Sequence, residues 1–320
     1  LTRYIIRRLL ISIPIFFLVT AVVYALYSLS PGDPVVNIIG YDSYMRMPAE
    51  QVQRIRHQYG FDQPVPARYV RWLGKALRGD LGYPYSGSKT VVDNLKERIP
   101  PTLLLMGTSL ILAMIIGIPM GMYMAMKQYS LGDYLLTIVA FVQLSFPSFF
   151  IGLAMIYVFA LKLDVLPTYG MQTIGAPFSV LDRIRHLIMP ATILGVFSAG
   201  VWARYTRASM LEVMRSDHVT VARAKGLSER AVTIRHIFRN AMLPIVTIIA
   251  LDIPNLLGGA VITEQIFQWP GMGMMTIRAT NLRDYPMLMG ILLVSAIMIL
   301  ASNLIGDVLY AVVDPRIRYD

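Results

Sequence analysis

Few side chains in this chain are spaced to do covalent chemistry. The four histidines, His57, His186, His218 and His236, include no i, i+4 pair and no His-Glu-x-x-His run, so a helical zinc site has nothing to build on. No Gly-x-Ser-x-Gly elbow presents a nucleophile. The chain has no cysteine, which excludes disulfides, thiolate metal sites and Cys nucleophiles. The nearest approach to a phosphate loop, Gly82-Tyr-Pro-Tyr-Ser-Gly87-Ser88-Lys89-Thr90, carries one residue too many between its second glycine and its lysine, and no apolar strand leads into it. It reads as a Gly/Ser-rich loop and not as a nucleotide site. What remains is charge in an apolar setting: Asp252, with Asn255 three residues on and on the same helix face. A charge at membrane depth is costly unless it faces a water-filled cavity or a partner. That face therefore lines a passage, or else Asp252 bonds a neighbouring helix or a partner chain or is simply protonated.

The elements that must carry these residues are membrane helices. The chain is 56% hydrophobic and only 15% charged, with a mean hydropathy of +0.57, too apolar for a soluble domain to solvate its own surface. Runs without charge span Leu9–Leu29, Leu103–Met126, Tyr134–Leu161 and Pro286–Gly306. Each reaches the roughly 20 residues needed to cross hydrocarbon. Leu187–Ala203 is shorter, and Ala241–Thr263 is interrupted by Asp252, Pro254 and Asn255; counting both gives six spans. The first run follows Arg3, Arg7 and Arg8 and exceeds the 7–15-residue core of a signal peptide, so it reads as a retained first helix. Gly117-Ile-Pro119-Met-Gly121 in the second span reads as close helix packing rather than mechanism.

Orientation follows from lysine and arginine. With the N-terminus inside, the inner side holds Arg3, Arg7, Arg8, Lys127, the eight from Arg204 to Arg239, Arg316 and Arg318, fourteen in all. The short outer loops hold five: Lys162, Arg183, Arg185, Arg278 and Arg283. That asymmetry predicts both termini inside, and the net charge of +10 then reads as membrane orientation and anionic-lipid contact, there being no nucleic-acid motif to use it. Residues 30–101 form an external segment that opens on the turn Pro31-Gly32-Asp33-Pro34. Two small helices are predicted there, Pro48–Tyr59 closed by Gly60, and Ala67–Leu77. Tyr69 and Trp72 suit either the membrane interface or packing against helix ends.

The most informative stretch is polar and basic, Asp217–Ile245, held between the fourth and fifth spans. A two-turn helix is predicted to start at Ser216 or Asp217, whose side chains cap free amides, and to stop at Gly226. A second helix starts at Ser228 and runs toward Pro244, with Ala231, Ile234, Phe238 and Met242 on one face. This order resembles the cytoplasmic coupling segment of ABC-transporter permeases. Ala222, Gly226, Leu243 and Pro244 match the loose family signature, with Thr220 where the family has Glu. The variant Ala-Arg-Ala-Lys-Gly-Leu-Ser at Ala222–Ser228 is similar to the peptide/nickel branch. Pro31-Gly32-Asp33-Pro34, Gly79-Asp80-Leu81-Gly82, Leu166-Pro167 with Gly170, Met189-Pro190, Glu264 with Phe267, Trp269-Pro270-Gly271-Met272-Gly273, Asp284-Tyr285-Pro286 and Asp314-Pro315-Arg316 resemble landmarks of the first permease subunit of peptide importers.

The resemblance implies an all-α, multi-pass protein of a prokaryotic inner membrane. Residues 1–29 would be the N-terminus and first span, and 102–320 the permease core with its coupling segment at 204–240. Asp217, Ala222, Arg223, Ala224, Lys225 and Gly226 would meet a cytoplasmic ATPase, and Asp252 and Asn255 would line the passage. The implied partners are a second permease, two ATPase subunits that bind ATP and magnesium, an external substrate-binding protein and the bilayer. The chain itself would hold no cofactor or metal and catalyse nothing. Two other classes stand beside this one. A secondary transporter or channel would use intramembrane acids and an internal repeat. An intramembrane enzyme would alter a substrate without ATPase partners.

Overall fold

A computed structural model describes residues 2–313, without the side chains of 2–5, 9, 144, 243, 247, 250–260 and 307–313. The Asp314-Pro315-Arg316 landmark, Arg318 and the side chains of Arg3, Leu243 and Asp307 lie outside the described residues. The described chain is all helix and loop, with no strand. The first apolar run becomes α1 (Thr2–Ser28). Four short helices follow: α2 (Pro34–Ile39), α3 (Tyr41–Arg46), α4 (Ala49–Tyr59) and α5 (Val65–Ala76). Asp33 joins three of the short elements, accepting the Val35 N–H at 3.0 Å, the Tyr44 hydroxyl at 3.0 Å and the Arg56 guanidinium at 2.5 Å. Burial pushes its carboxyl up, but these three donors together hold it below the usual carboxylate range. Tyr69 and Trp72 settle on α1: the Tyr69 hydroxyl lies 3.0 Å from Thr20 Oγ1 and 3.1 Å from the Phe17 carbonyl, and both rings meet Tyr24.

The second run becomes α6 (Val91–Met126), which starts well before Leu103 because Thr90 accepts the Asp93 N–H at 3.1 Å and caps it. The third, Tyr134–Leu161, is not the single straight span the apolar run predicts. It divides into α7 (Leu131–Ser145) and α8 (Ser148–Met155), the latter continued by a π-helical stretch to Lys162, with a bend of 97° between the two parts. Pro147 is the cause: it lacks a donor and forces Phe146 into extended backbone, φ −97° and ψ 135°. The short fourth run grows into α9 (Val180–Met214), 35 residues long and capped by Ser179, which accepts the Asp182 N–H. Its charged ends had hidden its length. After α10 (Asp217–Ala224) and α11 (Glu229–Ala231), a π-helical stretch Val232–Phe238 leads without a break into α12 (Arg239–Ile266); α13 (Met272–Asn281) and α14 (Tyr285–Val313) complete the described chain.

The core sits along α9, whose most extensive partner is α6. Gly117 and Gly121 let the two backbones meet. A Cβ at Gly121 would lie 2.4 Å from the Ala203 carbonyl oxygen, and one at Gly117 would lie 2.6 Å from that of Ala199. Small residues four apart on both helices, with Trp202 fully buried beside them, make the close contact that packs helices in a bilayer. The α1 helix is the opposite case: it packs on α14 and α5 along one face and leaves Ile11, Ile15, Leu18, Val22 and Leu26 exposed on the other.

Candidate functional site

The α9-to-α12 connection is built as a clamped surface helix. Ser216 has the extended backbone of an N-cap, but its hydroxyl donates back to the Val213 carbonyl at 2.5 Å rather than accepting from α10. The expected side-chain cap is therefore absent at Ser216, and its backbone carbonyl takes the Val219 N–H at 3.1 Å. The C-terminus ends as its sequence predicts. Gly226 has φ +77°; its N–H bonds the Arg223 carbonyl at 2.9 Å, and the Leu227 N–H bonds that of Ala222 at 3.4 Å. This pair of bonds is a Schellman motif, which uses a left-handed residue to satisfy the last carbonyls of a helix.

One face of α10 is seated and the other is free. Val219 and Ala222 are buried against Val232 and Ile237 of the π-helical stretch, Met210 of α9 and Ala125 of α6. Ser209 on α9 donates to the Ala241 carbonyl of α12 at 2.8 Å, closing the same junction. Arg223 and Glu229 form a two-pronged ion pair at 2.9 and 3.2 Å that spans the turn after α10. Exposed pairs of this kind contribute only about 0.2–1 kcal/mol, so its effect is to fix the turn's geometry. Of the predicted contact residues, Asp217, Arg223, Ala224, Lys225 and Gly226 are exposed, whereas Ala222 is buried and holds α10 to the core. Val221 and Leu227, 51% and 42% exposed, add apolar area to the free face; reading for charge passed over them. Their signal was available, since an apolar residue off the Val219/Ala222 face has no internal partner.

The second amphipathic helix does not stop near Pro244, and its buried face is not the predicted one. Val232, Thr233, Ile237 and Ala241 are buried, while Ile234 is 49% exposed. The side chains of Asp252 and Asn255 lie outside the described residues.

Two buried polar clusters, one near this site and one at the far ends of α6 and α12, hold the helices together. Asp133 on α7 receives both prongs of Arg207 on α9, at 2.9 and 2.8 Å, with its side chain only 3% exposed. Removing one partner of a buried pair costs about 3–5 kcal/mol. Glu264, at the end of α12 and fully buried, accepts the Thr102 hydroxyl at 2.7 Å and the Met274 N–H at 3.0 Å. The Trp269 indole donates to the Pro101 carbonyl at 2.9 Å, and the Met272 N–H to Thr102 Oγ1 at 2.8 Å. The Glu264 and Trp-Pro-Gly landmarks thus join α6, α12 and α13.

Long, apolar packed helices around a short, half-exposed surface helix make this a multi-pass membrane protein. The chain belongs to the family of binding-protein-dependent transport system inner membrane components: that family's model matches residues 117–319, and the model of its N-terminal part matches residues 1–106. It is 40% identical over 320 residues to the oligopeptide transport system permease protein AppB of Bacillus subtilis (strain 168), covering 100% of both chains. It is 37% identical over 317 residues to the glutathione transport system permease protein GsiC of Escherichia coli (strain K12), covering 99% of both. In fold it is similar to a chain of the MetNI methionine ABC transporter in an inward-facing form, with a TM-score of 0.59 and 14% identity over 71% of this chain and 100% of that one. The chain is accordingly a multi-pass inner-membrane permease of an ATP-driven importer, as the resemblance in its coupling segment implied.

Proposed function

We propose that this chain is one of two permease subunits of a peptide importer and that α10, with the turn to Gly226, is the surface on which an ATPase subunit docks. The observation that carries the reading is the seating of α10: Val219 and Ala222 fix it to the membrane core, while Asp217, Arg223, Ala224, Lys225 and Gly226 face outward. Two partner subunits bind ATP with magnesium and hydrolyse the ATP. An external binding protein delivers the solute to the opposite face. Closure of the ATPases moves α10 as a rigid piece, and α9 and α12, which flank it, carry the movement into the membrane. Peptide as the substrate class is supported by the peptide and glutathione permeases among the relatives.

Both termini lie inside, and six spans cross the membrane if the bent pair α7–α8 counts as one and α12 as another. The segment 30–101 is then external. A single cysteine at Ser86 is expected to react with an impermeant maleimide in intact cells, and one at Ser228 only after the membrane is opened; both serines are exposed, and no native cysteine competes. The reverse pattern would overturn the topology.

Asp252 and Asn255 line the passage in this reading, supported by the cost of placing a charge at membrane depth in the fifth span. Asn keeps the size of Asp and most of its hydrogen bonds while removing the charge. In vesicles carrying all the subunits, the parent is expected to import matched acidic, neutral and basic peptides only with ATP, and Asp252→Asn to lower uptake of the basic peptide relative to the acidic one. Equal scaling of all three would remove Asp252 from the path. Uptake driven by an ion gradient without ATP would overturn the importer mechanism as a whole.

A further inference from the structure

The break at Pro147 lies close to mid-membrane, and two contacts with α9 fix its depth. Asp133 of α7 meets Arg207 toward the inner end of α9; ten residues on, Gln143 donates to the Phe197 carbonyl at 3.0 Å, seventeen residues from either end of α9. Ten residues of helix rise about 15 Å, half of a hydrocarbon core of about 30 Å. Just beyond, α7 ends at Ser145 and α8 starts at Ser148 with a bend of 97°, and Ser145, Phe146 and Pro147 are exposed. The facing ends of the two helices carry carbonyls and N–H groups that their own helices cannot pair. Broken backbone at this depth is tolerated only where protein buries it or where it lines a water-filled cavity.

Beside the break, a groove of 310 Å³ runs along one flank of α8 and the π-helical stretch after it. Phe146, Phe150, Ala154 and Val158, four residues apart, line it, and the rings of Phe146 and Phe150 stack across the break at 6.2 Å between centres. Phe149, Leu153 and Tyr157, exposed on the other flank, lie outside it. Gly152, buried between the two flanks, faces Ile193 and Ile266. We infer that this elbow lines the substrate passage and that its groove takes an apolar side chain of the transported peptide. The inference rests on the peptide-importer reading above and deepens it by naming residues that meet the solute. An apolar groove beside unpaired backbone groups matches a molecule that brings both free amides and side chains, as an extended peptide does. Acyl chains bring no hydrogen-bonding groups, and a membrane helix of a partner has its amides paired within itself. Water in the passage satisfies the broken turn between solutes. Backbone contacts accept any sequence, so the groove would favour one apolar residue without excluding other peptides.

The test uses vesicles carrying all the subunits and a charged methanethiosulfonate reagent on both sides of the membrane, which reacts only where water reaches. The chain has no native cysteine, so label on it reports a single position. Ala154→Cys, on the groove side, is expected to be labelled, and more slowly when the binding protein, ATP and a neutral phenylalanine-containing tripeptide are added. Leu153→Cys, on the other flank, is expected to resist. No label at Ala154→Cys would place that flank against lipid or a second permease and overturn the inference. So would equal labelling of the two variants, or labelling that the peptide leaves unchanged. Phe146→Ala with Phe150→Ala is expected to lower uptake of the phenylalanine peptide about fivefold relative to trialanine, the loss of an aromatic contact. Equal scaling of the two peptides would overturn the groove as a side-chain pocket. Phe150→Leu keeps the apolar bulk and is expected to shift the ratio in the same direction by less; it decides the matter if the double variant fails to reach the membrane. Labelling without peptide needs no transport, so its failure and a failure of the parent to import peptides on ATP are separate results.

Discussion

Gly226→Pro is expected to leave the chain in the membrane at the parent's level while slowing uptake by about tenfold or more. The backbone at this position has φ +77°, which proline, locked near −65°, cannot adopt. The substitution also deletes the N–H that bonds the Arg223 carbonyl. A change incompatible with the native backbone costs more than about 1 kcal/mol, and here the loss falls on the turn that sets the free face of α10. Nothing lies within 4 Å of a Cβ built at this glycine, so crowding is not the cause. Gly226→Asn, which tolerates the left-handed conformation, should therefore stay near the parent. Pull-down of the ATPase subunits and uptake into vesicles decide the matter. Parent-like values of both for the proline variant would sink the assignment of α10 as the docking surface.

Gly121→Leu should have the largest effect on stability. The Cβ alone would sit 2.4 Å from the Ala203 carbonyl oxygen and 2.6 Å from Thr206 Cβ, and backbone cannot swing aside as a side chain does. Overpacking of this kind costs about 1–3 kcal/mol or more, and it falls on the main helix contact of the core. The variant is expected to lose monodispersity in detergent and to melt well below the parent when followed by tryptophan fluorescence, Trp202 lying fully buried at the same contact. Gly107→Leu, on the same helix with nothing within 4 Å, is the control and should melt close to the parent. Equal melting of the two variants would mean that α6 and α9 are not held by this contact.

The sequence was most readable where a local rule acts alone. Gly226 and Gly60 stop their helices because nothing distant competes with their backbone preference, and the prediction of Pro48–Tyr59 misses α4 by a single residue. Length was misjudged where charge lies within a helix. Arg204, Arg207 and Glu212 ended the apolar run yet belong to α9, because Arg207 is paired with Asp133 and so compatible with a packed helix. The face of the second coupling helix was misread for a different reason. Ala231, Ile234, Phe238 and Met242 follow the 3.6-residue period, but bonds from i to i+5 widen the turn there, and the buried set becomes Val232, Ile237 and Ala241. Periodicity cannot register an extra residue in a turn. The ion pair between Arg223 and Glu229 and the cluster around Glu264 and Thr102 were illegible for want of any local pattern, the second joining residues 162 positions apart.

The close contact at Ala199 and Ala203 also gives α9 the proportions of a rocker. From Ala199 to Met214 is fifteen residues without proline, a rod of about 22 Å at 1.5 Å per residue. From Ala199 back to Val180 is nineteen residues, about 28 Å, with Pro190 near the middle of that arm. With the glycine contact as fulcrum, a tilt of about 10° would carry the α10 end by about 4 Å and the far end by about 5 Å in the opposite sense. Were α9 to move as one straight rod through Pro190, the stroke at one face of the membrane would reappear at the other slightly enlarged and reversed. A gate worked by such a beam would open on one side because it closes on the other.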